Sequence, residues 1–144
     1  MMIHQVVKSE VPYIYADQAL KEISTNSTLY VLDAREKKEF ATSHIPGAIP
    51  VGYDSFSLEN VKNIPKSARI YVYCSIGYRS NKVAEILLSD GYKNVYNLYG
   101  GVFNWANNGF PLVNNFNQKT DTVHGYNPVW GIWLNEERCR KVLD

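Results

Sequence analysis

At 144 residues, with 45 % hydrophobic content, the chain is one domain's worth of sequence, large enough to bury a core without metal or disulfide support. A formal charge of +1 removes the electrostatic case for nucleic acid or an acidic membrane as partner. No apolar stretch approaches a membrane span, the amino terminus lacks the charged-then-apolar build of a leader, and two cysteines do not make a disulfide scaffold. The expected setting is therefore reducing and cytoplasmic, or periplasmic if a leader has been removed.

In chain order, Asp17 to Ile23 has the spacing of a short helix with Ala19, Leu20 and Ile23 as its apolar stripe, broken at Asn26-Ser27. Leu29 to Leu32 is a continuous β-favouring run that ends at Asp33, and Glu36 to Ala41 predicts one or two helical turns. Ala48 to Val51 is a short strand in which Pro50 demands an edge or terminal position. Asp54 to Val61 predicts a helix capped by Asp54 or Ser55. Ile70 to Tyr73 is apolar throughout and predicts a buried parallel strand. Val83, Ala84, Leu87 and Leu88 then recur at helical spacing, with Gly91 as the stop. Lys93 to Leu98 predicts the last strand, and Gly100-Gly101 precedes a helix over 102–108. Strands alternating with helices at short spacing mean an α/β fold with a central parallel sheet.

Beyond Pro111 the character changes. Asn114 to Asp121 reads as a polar linker or loop, and Asn127-Pro128 makes an N-cap and N1 pair. Val129, Ile132, Trp133, Glu136, Cys139, Arg140 and Leu143 follow at helical spacing, with the large aromatics Tyr126, Trp130 and Trp133 beside or within the stripe. The division is a domain over 12–113 and, over 114–144, a linker with an aromatic helical extension packed on the core, because such a stripe needs a surface.

The chemistry concentrates at Cys74-Ser75-Ile76-Gly77-Tyr78-Arg79-Ser80. A cysteine becomes a nucleophile as its thiolate, which needs nearby positive charge, helix N-terminal amides or both. Here the cysteine ends a strand, a glycine-containing loop follows, and a helix begins, so loop amides and the helix N-terminus converge on the sulfur. Arg79 is read as holding the loop or an anionic donor, Gly77 as supplying geometry, and Tyr73, Ile76 and Tyr78 as an apolar rim. Three scattered histidines lack metal-ligand spacing, so neither metal nor other cofactor is implied.

Cys-x-x-Gly-x-Arg-Ser, together with Asp33-Ala34-Arg35, Glu39-Phe40, His44-Ile45-Pro46-Gly47-Ala48 and Tyr99-Gly100-Gly101-Val102-Phe103-Asn104-Trp105, resembles the rhodanese family of sulfurtransferase domains over about residues 12–113. The resemblance implies a three-layer α/β domain, a catalytic Cys74 that carries sulfur as a persulfide, and an active-site loop of backbone amides over Ser75 to Ser80. It also implies that Asp33 and Arg35 support the loops and that His44 belongs to a structural turn.

Loop length separates chemistries. Protein tyrosine phosphatases use Cys-x5-Arg, usually after a histidine, whereas the spacing here is Cys-x4-Arg after Tyr73. A ring of amides with one residue fewer is smaller and suits the terminal sulfur of a persulfide better than a phosphoryl group. The expected reaction moves sulfane sulfur from thiosulfate or another persulfide to cyanide, a thiol or a protein thiol. The alternatives are a phosphatase or arsenate reductase of the same fold, and a redox-sensing or binding module.

Overall fold

The buried run at Ile70 to Tyr73 is the centre of the molecule. The computed structural model describes residues 10–26, 28–125 and 140–143. Five parallel strands form one sheet in the order β1-β5-β4-β2-β3, where β1 is Tyr13–Ile14, β2 Tyr30–Asp33, β3 Ile49–Pro50, β4 Arg69–Tyr73 and β5 Asn94–Leu98. Central β4 is apolar because it is covered on both faces. Pro50 lies in the edge strand β3, where its missing N–H costs no ladder bond.

Alternation along the strands splits the core in two. Val31, Tyr71 and Tyr73 pack with Ala16 and Ala19 of α1 (Ala16–Thr25) and with Val102, Phe103 and Trp105 of α4 (Gly101–Asn107). Leu32, Ile70 and Val72 face the other way, onto Val83, Ala84 and Leu87 of α3 (Tyr78–Ser89). Helix, sheet and helix make three layers, with α2 (Lys37–Thr42) beyond the end of β2. The C-terminal ends of β2, β4 and β5 come together at one edge, the place where open α/β sheets take their ligands.

Several expectations change. β1 is a strand the sequence reading does not include: only Tyr13 and Ile14 of the short run Tyr13 to Tyr15 take part, pairing with Asn97 and Leu98. The helix expected over 54–61 is only a 3-10 turn at Leu58–Val61, because the cap is Ser57, whose hydroxyl accepts from the Glu59 amide, while Tyr53 to Phe56 form a turn of their own. The loop expected from Asn114 is there, closed as a tight turn: the Asn114 side chain accepts from the Phe116 and Gln118 amides, and Asn117 takes φ of 61°.

The helix expected to run through Arg140 and Leu143 is also corrected. Arg140–Val142 form a strand, β7, paired in parallel with β6, Thr122–His124. Its ends are tied by Arg140 N–H to Asp121 O and by Gly125 N–H to Val142 O. Val123 is fully buried in the same core as Trp105 and Leu112. The rest of the aromatic stripe, from Tyr126 through Trp130, Trp133 and Cys139, lies outside the described residues.

Candidate active site

Cys74 follows the last residue of β4 and is 1 % exposed. The chain then turns through Ser75, Ile76 and Gly77 into α3. Gly77 has φ of 131°, a conformation that side-chain-bearing residues rarely adopt and that redirects the chain into α3, and its N–H donates to Cys74 Sγ at 3.1 Å. Ser80 Oγ, in the first turn of α3, lies 3.3 Å from the same sulfur.

The loop's carbonyls are occupied on its outer side. Val102 N–H donates to Cys74 O at 2.8 Å and Phe103 N–H to Ser75 O at 3.0 Å, both from the start of α4. So close an approach needs Gly101, since a Cβ there would come within 2.6 Å of Cys74 O, and its φ is 61°. Gly77 O accepts from Asn81 N–H at 3.2 Å and from Asn97 Nδ2 at 3.1 Å. With these carbonyls held outward, the loop is polarised to stabilise negative charge on its sulfur side.

Arg79 holds the loop rather than facing an open site. Its Nη2 donates to Ser75 Oγ at 2.9 Å and lies 2.9 Å from Glu39 Oε1, while Nη1 donates to Glu39 Oε2 at 3.1 Å. Both side chains are buried. This fork-on-carboxylate pair joins α3 to α2 and neutralises the arginine. Ser75 itself is fully buried.

Asp33 and Arg35 form a second buried pair at the end of β2. Arg35 Nη2 donates to Asp33 Oδ2 at 2.8 Å and to Ser43 O at 2.6 Å, and Arg35 N–H donates to Asp33 Oδ1 at 3.0 Å. Burial alone would discourage the guanidinium charge, but the adjoining Asp33 carboxylate outweighs it and holds the proton above the ordinary arginine value. The pair braces the connection from β2 to β3. Tyr73 belongs to this group, not to a rim: it is fully buried, its ring lies 5.5 Å from the Arg35 guanidinium, and its hydroxyl accepts from Ile45 N–H at 3.1 Å. Burial pushes its phenol well above the ordinary range.

His44 stacks on Phe40 with centroids 3.7 Å apart, and its Nδ1 donates to Phe40 O at 2.9 Å. Its backbone exchanges bonds with Val113 in both directions. Ile76 and Tyr78 do reach a surface, lining a cavity of about 680 Å³ with Gly77, Tyr13, Tyr99, Phe103 and Asn104. Gly77, whose N–H donates to Cys74 Sγ, is part of its wall. Among the described residues no histidine, cysteine or acidic cluster of metal-binding form occurs, and no helix is long and apolar enough to cross a membrane.

Three partners of the loop were not assigned from the sequence. In the sequence Glu39 carries no sign of its partner, Asn97 is one polar residue of a strand, and Gly101 marks a helix boundary. A glycine pair one residue past a strand is the available signal for close backbone approach.

A family model for the rhodanese-like domain matches residues 15–108. The chain belongs to the rhodanese-like domain family. A sulfurtransferase of Allochromatium vinosum is 29 % identical over 100 residues, covering 69 % of this chain and 92 % of that protein. An adenylyltransferase and sulfurtransferase of Ogataea parapolymorpha is 27 % identical over 88 residues, covering 61 % of this chain, but the match spans only 23 % of its length. The solved structure of a rhodanese-related protein from Thermoplasma volcanium superposes with a TM-score of 0.62 at 27 % identity, over 71 % of this chain and 97 % of that one. The rhodanese-like chain thus has sulfurtransferases among its relatives.

Proposed function

We propose that this domain transfers sulfane sulfur through a persulfide on Cys74, with thiosulfate or a low-molecular-weight or protein persulfide as donor. The Cys74 thiolate attacks the outer sulfur of thiosulfate. The new S–S bond forms as the donor's S–S bond breaks, and sulfite leaves with the bonding electron pair. The terminal sulfur of Cys74-S-S⁻ then carries the charge inside the loop. A thiophilic acceptor, cyanide or a thiolate, attacks that sulfur and returns Cys74 as thiolate. A covalent carrier of this kind gives ping-pong kinetics.

The observation that carries the reading is the Cys-x4-Arg loop, with its carbonyls bonded outward and the Gly77 amide on the sulfur. Each amide aligned on the charged sulfur contributes about 3 kcal/mol by analogy with an oxyanion-hole donor. The short loop also disfavours phosphoryl transfer. The cavity beside Gly77, walled by Tyr13, Tyr78, Tyr99 and Phe103, is the route by which donor and acceptor approach.

Intact mass spectrometry after thiosulfate treatment tests it. The protein gains one sulfur atom, loses it on a cyanide chase, and Cys74→Ser gains none. Thiocyanate production by Cys74→Ser at the wild-type rate would overturn the reading.

A further inference from the structure

Asn97 lies in β5, fully buried, and uses both ends of its amide on the active-site helix and loop. One end is 3.1 Å from Gly77 O and the other 2.6 Å from Ser80 Oγ. A carbonyl oxygen can only accept, so the group facing Gly77 O is the NH₂, and the group facing Ser80 is Oδ1. Asn97 Oδ1 can also only accept, so at 2.6 Å the Ser80 hydroxyl must donate to it. A hydroxyl has one proton. Ser80 therefore turns only lone pairs toward Cys74 Sγ, 3.3 Å away.

We infer that Asn97 makes Ser80 a proton acceptor for the resting Cys74 thiol, so that β5 sets when the nucleophile ionises. The hydrogen bonds run in one direction, from Cys74 S–H to Ser80, from Ser80 to Asn97, and from Asn97 to Gly77 O. Gly77 N–H pulls the other way, since a donor on Sγ favours the thiolate. Cys74 thus sits between one partner that favours the thiol and one that favours the thiolate. Asn97 is a positioning residue, acting through Ser80.

Among the described residues, no other charge nearby supplants this control. Arg79 of α3 is paired with Glu39 of α2, and Arg35 with Asp33 at the end of β2. β5 and α4 carry no ionic side chain. Lys82 lies over the exposed Tyr78 ring at 5.8 Å. The other ionic side chains of the packed elements have partners or surroundings of their own: Glu85 of α3 accepts from Asn81 Nδ2 at 3.2 Å, Arg69 of β4 lies over the Tyr96 ring at 5.1 Å, and Lys37 and Lys38 of α2 are exposed. That leaves the phenols of Tyr30, Tyr71, Tyr73, Tyr78 and Tyr96, a class that titrates above thiols.

The inference rests on the reading of Cys74 as the sulfur carrier, but its readout needs no sulfur transfer. In a Cys139→Ser background, which leaves Cys74 as the sole thiol, the rate of iodoacetamide alkylation against pH gives the thiol's midpoint. Ser80→Ala removes the acceptor and lowers that midpoint by about one pH unit. Asn97→Ala frees the Ser80 hydroxyl to donate to the thiolate and lowers it as well. A midpoint that rises or stays put in Ser80→Ala would mean that the hydroxyl already serves the thiolate, or does nothing, and would overturn the inference. The infrared S–H stretch of the Cys139→Ser protein, with Ser80 and Asn97 intact, supplies an independent readout. It falls below that of an unbonded thiol if Cys74 donates, and matches it if the inference is wrong. Lowered midpoints without any sulfur loading would sink the proposed function and leave this inference standing.

Discussion

Arg79 and Glu39 meet as fork on carboxylate across two helices, with contacts of 2.9 and 3.1 Å, and neither side chain is open to water. The arginine that follows the reactive cysteine in sequence is therefore committed to a carboxylate and to Ser75, and the loop depends on that commitment. Removing one partner strands the other charge in the interior. Glu39→Ala is expected to lower unfolding stability by about 3 to 5 kcal/mol. Urea denaturation checks this, and a loss below 1 kcal/mol would show that the pair is solvated and does not brace the loop.

Gly101 holds the loop from behind. Ala at this position places a methyl group within 2.6 Å of the Cys74 carbonyl and sits on a backbone with φ of 61°. Overpacking of this kind costs about 1 to 3 kcal/mol in stability. The larger effect falls on chemistry, because the displaced carbonyls and amides are those that shape the sulfur site. Gly101→Ala should cut the rate of thiosulfate-dependent sulfur loading by about 100-fold, the scale expected when a site is misplaced by an ångström. Stopped-flow loading kinetics at a temperature where the variant stays folded separate the two losses, and an unchanged rate would remove the α4 contacts from the account of the site.

The parts that were legible in sequence are local. The strand over Ile70 to Tyr73, Cys74 at its end, and the helix stripe of Val83, Ala84 and Leu87 all follow from neighbours within a few positions. The partners that complete the site are distant: Glu39 lies 40 positions from Arg79, and Asn97 lies 17 from Ser80. No periodicity links such pairs, because it is sheet order that brings β5 beside β4 and helix packing that sets α2 against α3. Strands β1 and β7 escaped for a related reason. A strand of two or three residues exists through its pairing partner, and in β7 the residues Arg140, Lys141 and Val142 carry no strand signal of their own. Tyr73 was misplaced at the rim because position alone does not say that a strand's last residue points into the core beside Arg35.

Alkaline pH should unfold the protein through buried tyrosines. Burial, with a hydrogen bond from its hydroxyl to Glu22, pushes the Tyr71 phenol up to about 12 from the ordinary value of 10.0, and Tyr73 is raised well above that value too. In the unfolded chain both would lose their protons near pH 10, while the folded state holds them. The stability they contribute is fully present below pH 10 and falls as pH rises from there through about 12. Thermal melts between pH 8 and pH 11, run alongside Tyr71→Phe, check the sign. The wild type should lose melting temperature above pH 10 more steeply than the variant, and parallel profiles would exclude Tyr71 as a source.

The segment after Val113 tests where the domain ends. Val123 is fully buried with Trp105, Leu112 and Phe103, and β6 is held to β7 by paired backbone bonds. Cutting the chain after Val113 removes that side chain from the core and exposes the face of α2 against which β6 packs. Burying one valine contributes about 2 kcal/mol, so Val123→Ala should lower stability by roughly that amount, and truncation after Val113 by more. If the segment instead served only as an association element, the truncated protein would melt as the full chain does and light scattering would show a smaller assembly. The burial of Val123 predicts the opposite: a lower melting temperature at unchanged mass per particle relative to chain length.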